Sequence, residues 1–341
     1  MADLPTFTDL TADARPDPVT PFDHALRACL DDLFAAMPTL ATNTGFHAHD
    51  DRWPDVSDAG RIDRLALVDR HRAAMAALAD DDLTRDELID RGIVLEALDG
   101  LRFDAQTLRD DAWDPLTYVL LLGNGLHELL AREFAPWTHR GAAFAWRAAR
   151  LPVVLDAARA NLVGLPDRPV ARLQTETAIE QLSGITSLVD EALDEARRQA
   201  GPDAIAIADA IEALRPEVVD ALTTFRRHLE DVVLPRAEGE GRLGRDLYAA
   251  KLRHALSSDV AVEDLRARAE RDFRAVRGEL IRVARDLWPA FMGGEPAPDD
   301  DDEVVRRVWL AIATEHPSAE GLLDACRRET AAIEAFVRET G

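Results

Sequence analysis

Apolar side chains recur at three- and four-residue steps along almost the whole chain, and this spacing constrains the fold more than any other feature. The pattern is clear after Thr20, where Phe22, Leu26, Cys29 and Leu33 share one face of a helix. Alternation of apolar and polar residues, which is typical of a half-buried strand, is not sustained anywhere. The sequence therefore predicts an all-α protein without a sheet of any size.

Helix start signals divide this pattern into elements of unequal length. Thr20 is typical of an N-cap residue, and Thr84 followed by Glu87 is typical of a capping box. No repeat of fixed period is present, which counts against a solenoid. We therefore expect an irregular multi-helix bundle, with an irregular segment over residues 1–20 and a single large helical domain over residues 21–341.

Several interruptions of the helical pattern are also predicted. The segment 38–56 contains glycine, proline and several aspartates and is expected to be irregular. Gly123 and Gly125 suggest a break or bend, and Pro152 suggests a kink. The clearest loop is predicted over residues 234–244, where proline and three glycines cluster.

The charge balance excludes two classes of partner. The chain has 64 acidic and 40 basic side chains, a formal net charge of −24 and a sequence pI near 4.7. Nucleic acids and anionic membranes require a basic surface, so neither is expected to bind. No apolar stretch approaches the ~20 residues of a transmembrane helix, and the polar N-terminus lacks the features of a secretory signal. We therefore expect a cytoplasmic protein without a transmembrane segment.

A zinc-peptidase motif begins in the sequence but is not completed. Such motifs place two histidines at i and i+4, which turns both imidazoles to one face of a helix, with a glutamate beside the first as general base. His127 and Glu128 begin the motif, but Ala131 stands where the second histidine is required. No catalytic residue is therefore assigned in this chain.

His47 and His49, followed by Asp50 and Asp51, form a second polar cluster. Two histidines at i and i+2 can chelate zinc or iron from an extended loop, and a carboxylate can complete the shell. Because nothing in the sequence supplies a fixed scaffold, a histidine that caps a backbone carbonyl is the alternative interpretation. His47 and His49 are thus the metal-ligand candidates of this chain, and no cofactor is assigned to them.

The basic segment, which we define as residues 239–254, differs from the acidic remainder of the chain. It contains three glycines, several arginines and Lys251, the only lysine of the sequence. On a helix, Tyr248, Lys251 and His254 share one face, since they follow one another at three-residue steps. Glycines allow close approach of another backbone or of a ligand. Together with Arg242, these side chains are predicted to bind substrate.

Two interpretations of the basic segment stay open. A cation beside a cleft can bind a peptide carboxylate, and an arginine can do so with two parallel hydrogen bonds. Alternatively, the segment is a structural loop that braces two helices, with Arg242 paired to Glu238 or Glu240.

Three stretches of the sequence form a pattern by their order and spacing. The first is Ala41–Asp51, and the second runs from Asp114–Tyr118 through Arg147 to Asn161 and Leu162. The third is Leu234–Ala237 with Gly241–Gly244 and Tyr248. Together they resemble the N-terminal half of the bacterial domain-of-unknown-function 885 (DUF885) family over nearly the whole chain.

The resemblance implies both a fold and an activity. Members of the family are usually longer and look like helical zinc-dependent peptidases or related hydrolases, whose second half carries a motif of the type His-Glu-x-x-x-Gly-His. The implied fold is the N-terminal helical lobe of a zinc metallopeptidase-like protein, incomplete without the C-terminal half. No position here matches the metal-binding motif, so zinc is expected only with that half.

Two functions therefore remain open. In the first, the chain is the non-catalytic helical half of a peptidase-like hydrolase and shapes a cleft for a peptide-like small substrate. In the second, it is a free-standing helical binding or scaffold module. Whether the chain is an enzyme by itself stays undecided. An apolar helix face without a partner favours the first function, and a compact chain without such a face favours the second.

Overall fold

The computed structural model describes residues 4–7 and 16–340, whose secondary structure is almost entirely helical. The α-helices are, in chain order, α1 (Pro21–Ala36), α2 (Pro38–Thr44), α3 (Asp58–Ala76), α4 (Arg85–Phe103), α5 (Asp110–Trp113), α6 (Leu116–Ala131), α7 (Trp137–Asn161), α8 (Arg172–Arg198), α9 (Pro202–His228), α10 (Gly244–Leu256), α11 (Val262–Met292), α12 (Asp301–Ile312) and α13 (Leu322–Thr340). Extended pairing in the described residues is limited to isolated bridges at Leu165–Arg168 and Ala171–Gly239. The predicted all-α class is confirmed.

The predicted helix starts at Thr20 and Thr84 are confirmed. The hydroxyl of Thr20 accepts a hydrogen bond from the amide of Asp23 at 3.1 Å, and the Asp23 carboxylate accepts one from the amide of Thr20 at 3.0 Å. Thr84 and Glu87 cap each other in the same way. The two caps also meet, because the Thr20 hydroxyl donates to Glu87 at 2.7 Å. The N-termini of α1 and α4 are therefore held together.

Two predicted interruptions are wrong in part, and the bend near Gly123 and the kink at Pro152 stay predictions. The segment 38–56 begins with the short helix α2, and α6 is continuous through Gly123 and Gly125. A Cβ atom on Gly125 would lie 2.3 Å from the ring of Trp53, so this glycine allows a close contact instead of breaking the helix. The chain also stays helical across Pro152. A glycine can thus lie inside a continuous helix where a neighbouring side chain occupies the space of its missing Cβ.

The chain divides into two compact units, the first ending at Asp259 and the second beginning at Val260. Of the predicted irregular segment, residues 1–3 and 8–15 lie outside the described residues, and residues 4–7 and 16–20 contain no helix. The single domain predicted over 21–341 stays a prediction.

The first unit has a large apolar core where α6, α7, α8 and α9 pack together. Helix α8 contributes Ala178, Leu182, Ile185 and Val189, whose three- and four-residue spacing puts them on one buried face. A smaller core joins α1, α3 and α4 through buried side chains that include Phe22, Cys29, Val68, Met75 and Leu98.

The second unit has a small core between α11 and α12. Its buried apolar side chains are Ala284, Trp288, Val304 and Val308. Helix α13 has no buried residue.

Candidate functional site

The fully buried carboxylate of Asp50 is the centre of a polar network in the first unit. Its Oδ2 atom lies 3.0 Å from Nδ1 of His47 and 3.4 Å from Nε2 of His139, and its Oδ1 atom accepts a hydrogen bond from Thr42 at 2.7 Å. Burial alone would raise the pKa of Asp50, but the hydrogen bonds from His139, His47 and Thr42 outweigh it and lower the pKa to about 2. Asp50 is therefore ionised and saturated with donors.

Arg147, also fully buried, supplies the opposite charge. Its guanidinium donates to the hydroxyl of Thr42 at 2.6 Å, to the carbonyl of Arg52 at 3.1 Å and to the carbonyl of Gly125. Burial lowers the pKa of Arg147 to about 10, against the opposing effect of Asp50. Because Asp50, Thr42 and Arg147 are all hydrogen-bonded to distant parts of the chain, the network fastens α2 and the following loop to α6 and α7.

The metal-ligand candidates His47 and His49 lie beside this network. The ring of His47 stacks on Phe134 with 3.7 Å between centroids, and the ring of His49 lies 5.8 Å from that of Phe46. Among residues 4–7 and 16–340, no group of three or more His, Cys, Asp or Glu side chains can hold a metal ion.

The incomplete zinc motif has no second ligand in the structure either. His127 lies on α6 with Ala131 one turn later, and Glu128 forms an ion pair with Arg132 at 2.9 Å. A zinc site needs about three protein ligands in a fixed geometry. The described residues therefore do not fit a zinc ion, and we assign no chemical step to one.

Gly239, the first glycine of the basic segment, allows the close approach of another backbone. Gly239 pairs with the chain before α8: its amide donates to the carbonyl of Val170 at 2.9 Å, and its carbonyl accepts from Arg172 at 3.0 Å. A Cβ atom on Gly239 would lie 2.4 Å from the carbonyl oxygen of Pro169. At this position the glycine is explained by packing of the protein chain.

Three of the four predicted substrate-binding residues, Tyr248, Lys251 and His254, lie on α10 at three-residue steps, and Arg242 lies just before that helix. Arg242 and Tyr248 are exposed, and Arg242 forms no ion pair within the described part of the chain. Lys251 and His254 lie against the end of α4 instead, where the ring of His254 is 4.9 Å from that of Phe103. The substrate-binding role of these four residues stays a prediction.

Three carboxylates that the sequence analysis missed gather near Lys251: Asp104, Asp110 and Asp114. Burial raises the pKa of all three, and that of Asp110 rises to about 6, because Lys251 offsets only part of the cost. Oδ2 of Asp110 is 3.9 Å from Nζ of Lys251, too far for a hydrogen bond, and its buried Oδ1 has no hydrogen-bond partner among the described residues. A poorly paired carboxylate with a shifted pKa is typical of functional sites.

Asp104 and Asp110 line a cavity of about 500 Å³ in the first unit. This volume lies in the range of about 300–1,000 Å³ that small-molecule sites occupy. Most of the wall is apolar and comes from α1, α2, α3, α4 and α6, with Leu33, Leu40, Leu67, Leu101 and Leu120 among its side chains. The four predicted residues of the basic segment do not line this cavity.

The second unit exposes large apolar side chains along its helices. Phe273 on α11 is 68% exposed and Phe336 on α13 is 65% exposed. We define the apolar strips as the exposed apolar side chains of this unit, which include Phe273, Val276, Leu280, Trp309, Leu310, Leu322, Leu323, Ile333, Phe336 and Val337. Apolar side chains exposed at three- and four-residue steps, as at Phe273, Val276 and Leu280, line one face of a helix, and such a face is typical of interaction sites.

Every helix in the described residues is too short or too polar to cross a lipid bilayer.

Comparisons with known proteins give a family and a fold. The family model for a bacterial protein of unknown function, DUF885, matches residues 38–341. A solved structure from Shewanella oneidensis, described as "a putative lipoprotein of unknown function", is similar with a TM-score of 0.72 and 24% sequence identity. The match covers 93% of this chain but 57% of that chain, and at this identity it shows the fold alone. No curated protein matches the sequence.

Proposed function

The chain belongs to the bacterial DUF885 family, and from this premise we propose that it forms the non-catalytic helical half of a peptidase-like hydrolase. In this function the first unit shapes a substrate cleft, and the apolar strips of the second unit receive a second, catalytic lobe. That lobe is supplied by further residues of the same polypeptide or by a separate chain. Any zinc ion belongs to that lobe, because the described residues of this chain do not fit one.

The observation that carries this proposal is the exposure of the apolar strips. Helix α13 has apolar residues at helical spacing, yet none of its residues is buried. Burying a single phenylalanine or leucine side chain is worth about 1.5–3 kcal/mol. Side chains such as Phe273 and Phe336 therefore offer a partner several favourable contacts that the chain itself does not make.

Two further observations support the proposal. About two fifths of the S. oneidensis chain has no counterpart here, which is enough for a second lobe in that relative. In addition, the cavity of the first unit has the volume and the mixed lining of a site for a small substrate.

Photo-crosslinking in the native host tests the docking of a second lobe. A photoreactive amino acid is placed at position 273 or 336 of the tagged chromosomal protein, and crosslinked peptides are identified by mass spectrometry. The expected product joins these positions to DUF885 sequence that aligns with the unmatched part of the S. oneidensis chain. The matched control is position 89, because Ile89 is an exposed apolar residue of the first unit.

The alternative, a free-standing binding or scaffold module, gives a different result. Its apolar strips would crosslink to a second copy of this chain, to proteins outside the family, or to nothing. Any of these outcomes, or equal crosslinking from position 89, would reject the second lobe.

A further inference from the structure

The positive groups of the cavity wall already have partners. Arg61 donates to Asp58 at 2.7 Å and to the carbonyl of Ala105 at 3.3 Å. Arg64 donates to the carbonyl of Asp55. A ligand anion would have to compete with these contacts, so the wall is not prepared for a carboxylate or a phosphate.

The negative groups differ in this respect. Asp111 is paired, since Arg109 donates to both of its oxygens at 3.0 and 3.1 Å. Asp104 and Asp110 accept no side-chain hydrogen bond from the described residues, and the ammonium of Lys251 lies 3.9 Å from Asp110, beyond hydrogen-bond distance. These two carboxylates thus lack a hydrogen-bond donor, although the ammonium of Lys251 lies nearby.

We infer that this cavity binds a primary ammonium group attached to an apolar carbon chain, with Asp110 and Asp104 holding the ammonium and the leucine wall holding the chain. This inference names the class of ligand for the cavity of the proposed function. It rests on the proposed function only in treating that ligand as a substrate. The same chemistry has two sources: a free amphipathic amine, or the amino terminus of a peptide whose first side chain is apolar.

Physical chemistry favours a cation at this position. A partly buried carboxylate without a hydrogen-bond donor has lost hydration and gained little in return, so a donor with a positive charge binds it more strongly than a neutral one. Lys251 does not fill this role, because its side chain is 45% exposed and lies beyond hydrogen-bond distance. The net charge of −24 also attracts cations towards the protein.

Isothermal titration calorimetry with three matched probes tests this inference on the isolated chain. Hexylamine, hexanol and hexanoate share one carbon chain and differ in the charge of the head group. We expect hexylamine to bind at least tenfold more tightly than hexanol, and hexanoate to bind most weakly. Asp110→Asn is expected to abolish the preference for the amine while hexanol binding persists, which shows that the cavity is intact.

Asp259→Asn is the matched control, because Asp259 is an exposed carboxylate of the same unit that does not line the cavity. This variant should keep the full preference for hexylamine. Equal affinity for the three probes, a preference for hexanoate, or an amine preference that survives Asp110→Asn would each overturn the inference.

Leucinamide and its N-acetyl derivative distinguish the two sources. Tighter binding of leucinamide than of hexylamine, lost on acetylation, identifies a peptide amino terminus, whereas tighter binding of hexylamine identifies a free amine. Because these titrations use this chain alone, they can fail while the crosslinks to a second lobe succeed, and the reverse also holds.

Discussion

Helices α8 and α13 have the same kind of amphipathic sequence but opposite surroundings. In α8 the apolar face, with Leu182, Ile185 and Val189, is buried against the core of the first unit. In α13 the corresponding side chains, such as Ile333 and Phe336, are exposed. The comparison teaches that an amphipathic pattern predicts a helix and a face that packs, but not the partner of that face. The apolar face of α8 is covered within the first unit, whereas the apolar side chains of α13 remain exposed.

The sharpest test of the self-contained first unit is removal of its buried cation. We expect Arg147→Met to lower the free energy of unfolding by about 3–5 kcal/mol, because it removes the buried positive charge that acts on Asp50 and leaves the Thr42 hydroxyl and two carbonyls without their donor. Urea unfolding followed by circular dichroism measures the change. In the control Arg172→Met, an exposed arginine paired with Glu176 is removed, and the change should stay within about 0.5 kcal/mol. A loss below 1 kcal/mol for Arg147→Met would show that the network adds little stability.

A matched pair of leucines compares the two units directly. Leu126 on α6 is fully buried, whereas Leu280 on α11 is 45% exposed. We expect Leu126→Ala to cost about 2–5 kcal/mol, because it leaves a cavity in the core. Leu280→Ala should change the free energy of unfolding by less than about 0.5 kcal/mol. Similar losses in the two variants, measured by urea unfolding, would mean that the face of α11 is packed in solution and would remove the contrast between the units.

The parts of the fold that could be predicted from the sequence are those that local chemistry decides. The caps at Thr20 and Thr84 depend on residues three positions apart, so their patterns identified both helix starts. Helix α2 was missed because its short segment, rich in threonine, has a weak helical pattern and is held by the buried contacts of Thr42 with Asp50 and Arg147. These contacts join residues that are distant in sequence, and no local pattern reports them.

The candidate site was predictable to a smaller extent. The basic segment was identified by its charge, but the partner of Lys251 is Asp110, which lies far away in the chain and reaches it only when α10 packs near α4. A carboxylate without a hydrogen bond is a property of the folded environment, since its burial and its missing donors are absent from the sequence pattern.

The pH dependence of stability distinguishes Asp110 from Asp50. The pKa of Asp110 is raised to about 6 in the folded chain, so the native state binds a proton more tightly than the unfolded state. The stability that protonated Asp110 contributes is therefore fully present below pH 4 and is lost as the pH rises to about 6. The side chain is 32% exposed, so solvent weakens the effect. Between pH 4 and 6, the free energy of unfolding should therefore fall by about 1 kcal/mol less in Asp110→Asn than in the unchanged chain. The groups that face Asp110 and shape this window are Asp104, Asp114, Lys251 and Arg168.

Asp50 gives the opposite dependence and serves as an internal control. Its pKa is lowered to about 2, so its contribution is present above pH 4 and is lost as the pH falls towards 2. Asp110→Asn should flatten the decline between pH 4 and 6 in urea titrations and leave the acid limb unchanged. An unchanged profile between pH 4 and 6 would mean that Asp110 has an ordinary pKa and is well paired in solution.

The smallest effect is expected where the basic segment looked most distinctive in sequence. Arg242 is exposed and forms no ion pair with Glu238, Glu240 or any other described residue, so Arg242→Ala should leave the melting temperature within about 1–2 °C. The segment is held instead by its backbone, through the pairing of Gly239 with Val170.

Arg242→Lys, which keeps the charge, is the matched control. A fall of several degrees in Arg242→Ala alone, measured by thermal denaturation, would show that the side chain braces the loop. An unchanged melting temperature together with weaker substrate binding by the proposed complete hydrolase would favour the predicted role of Arg242 in recognition.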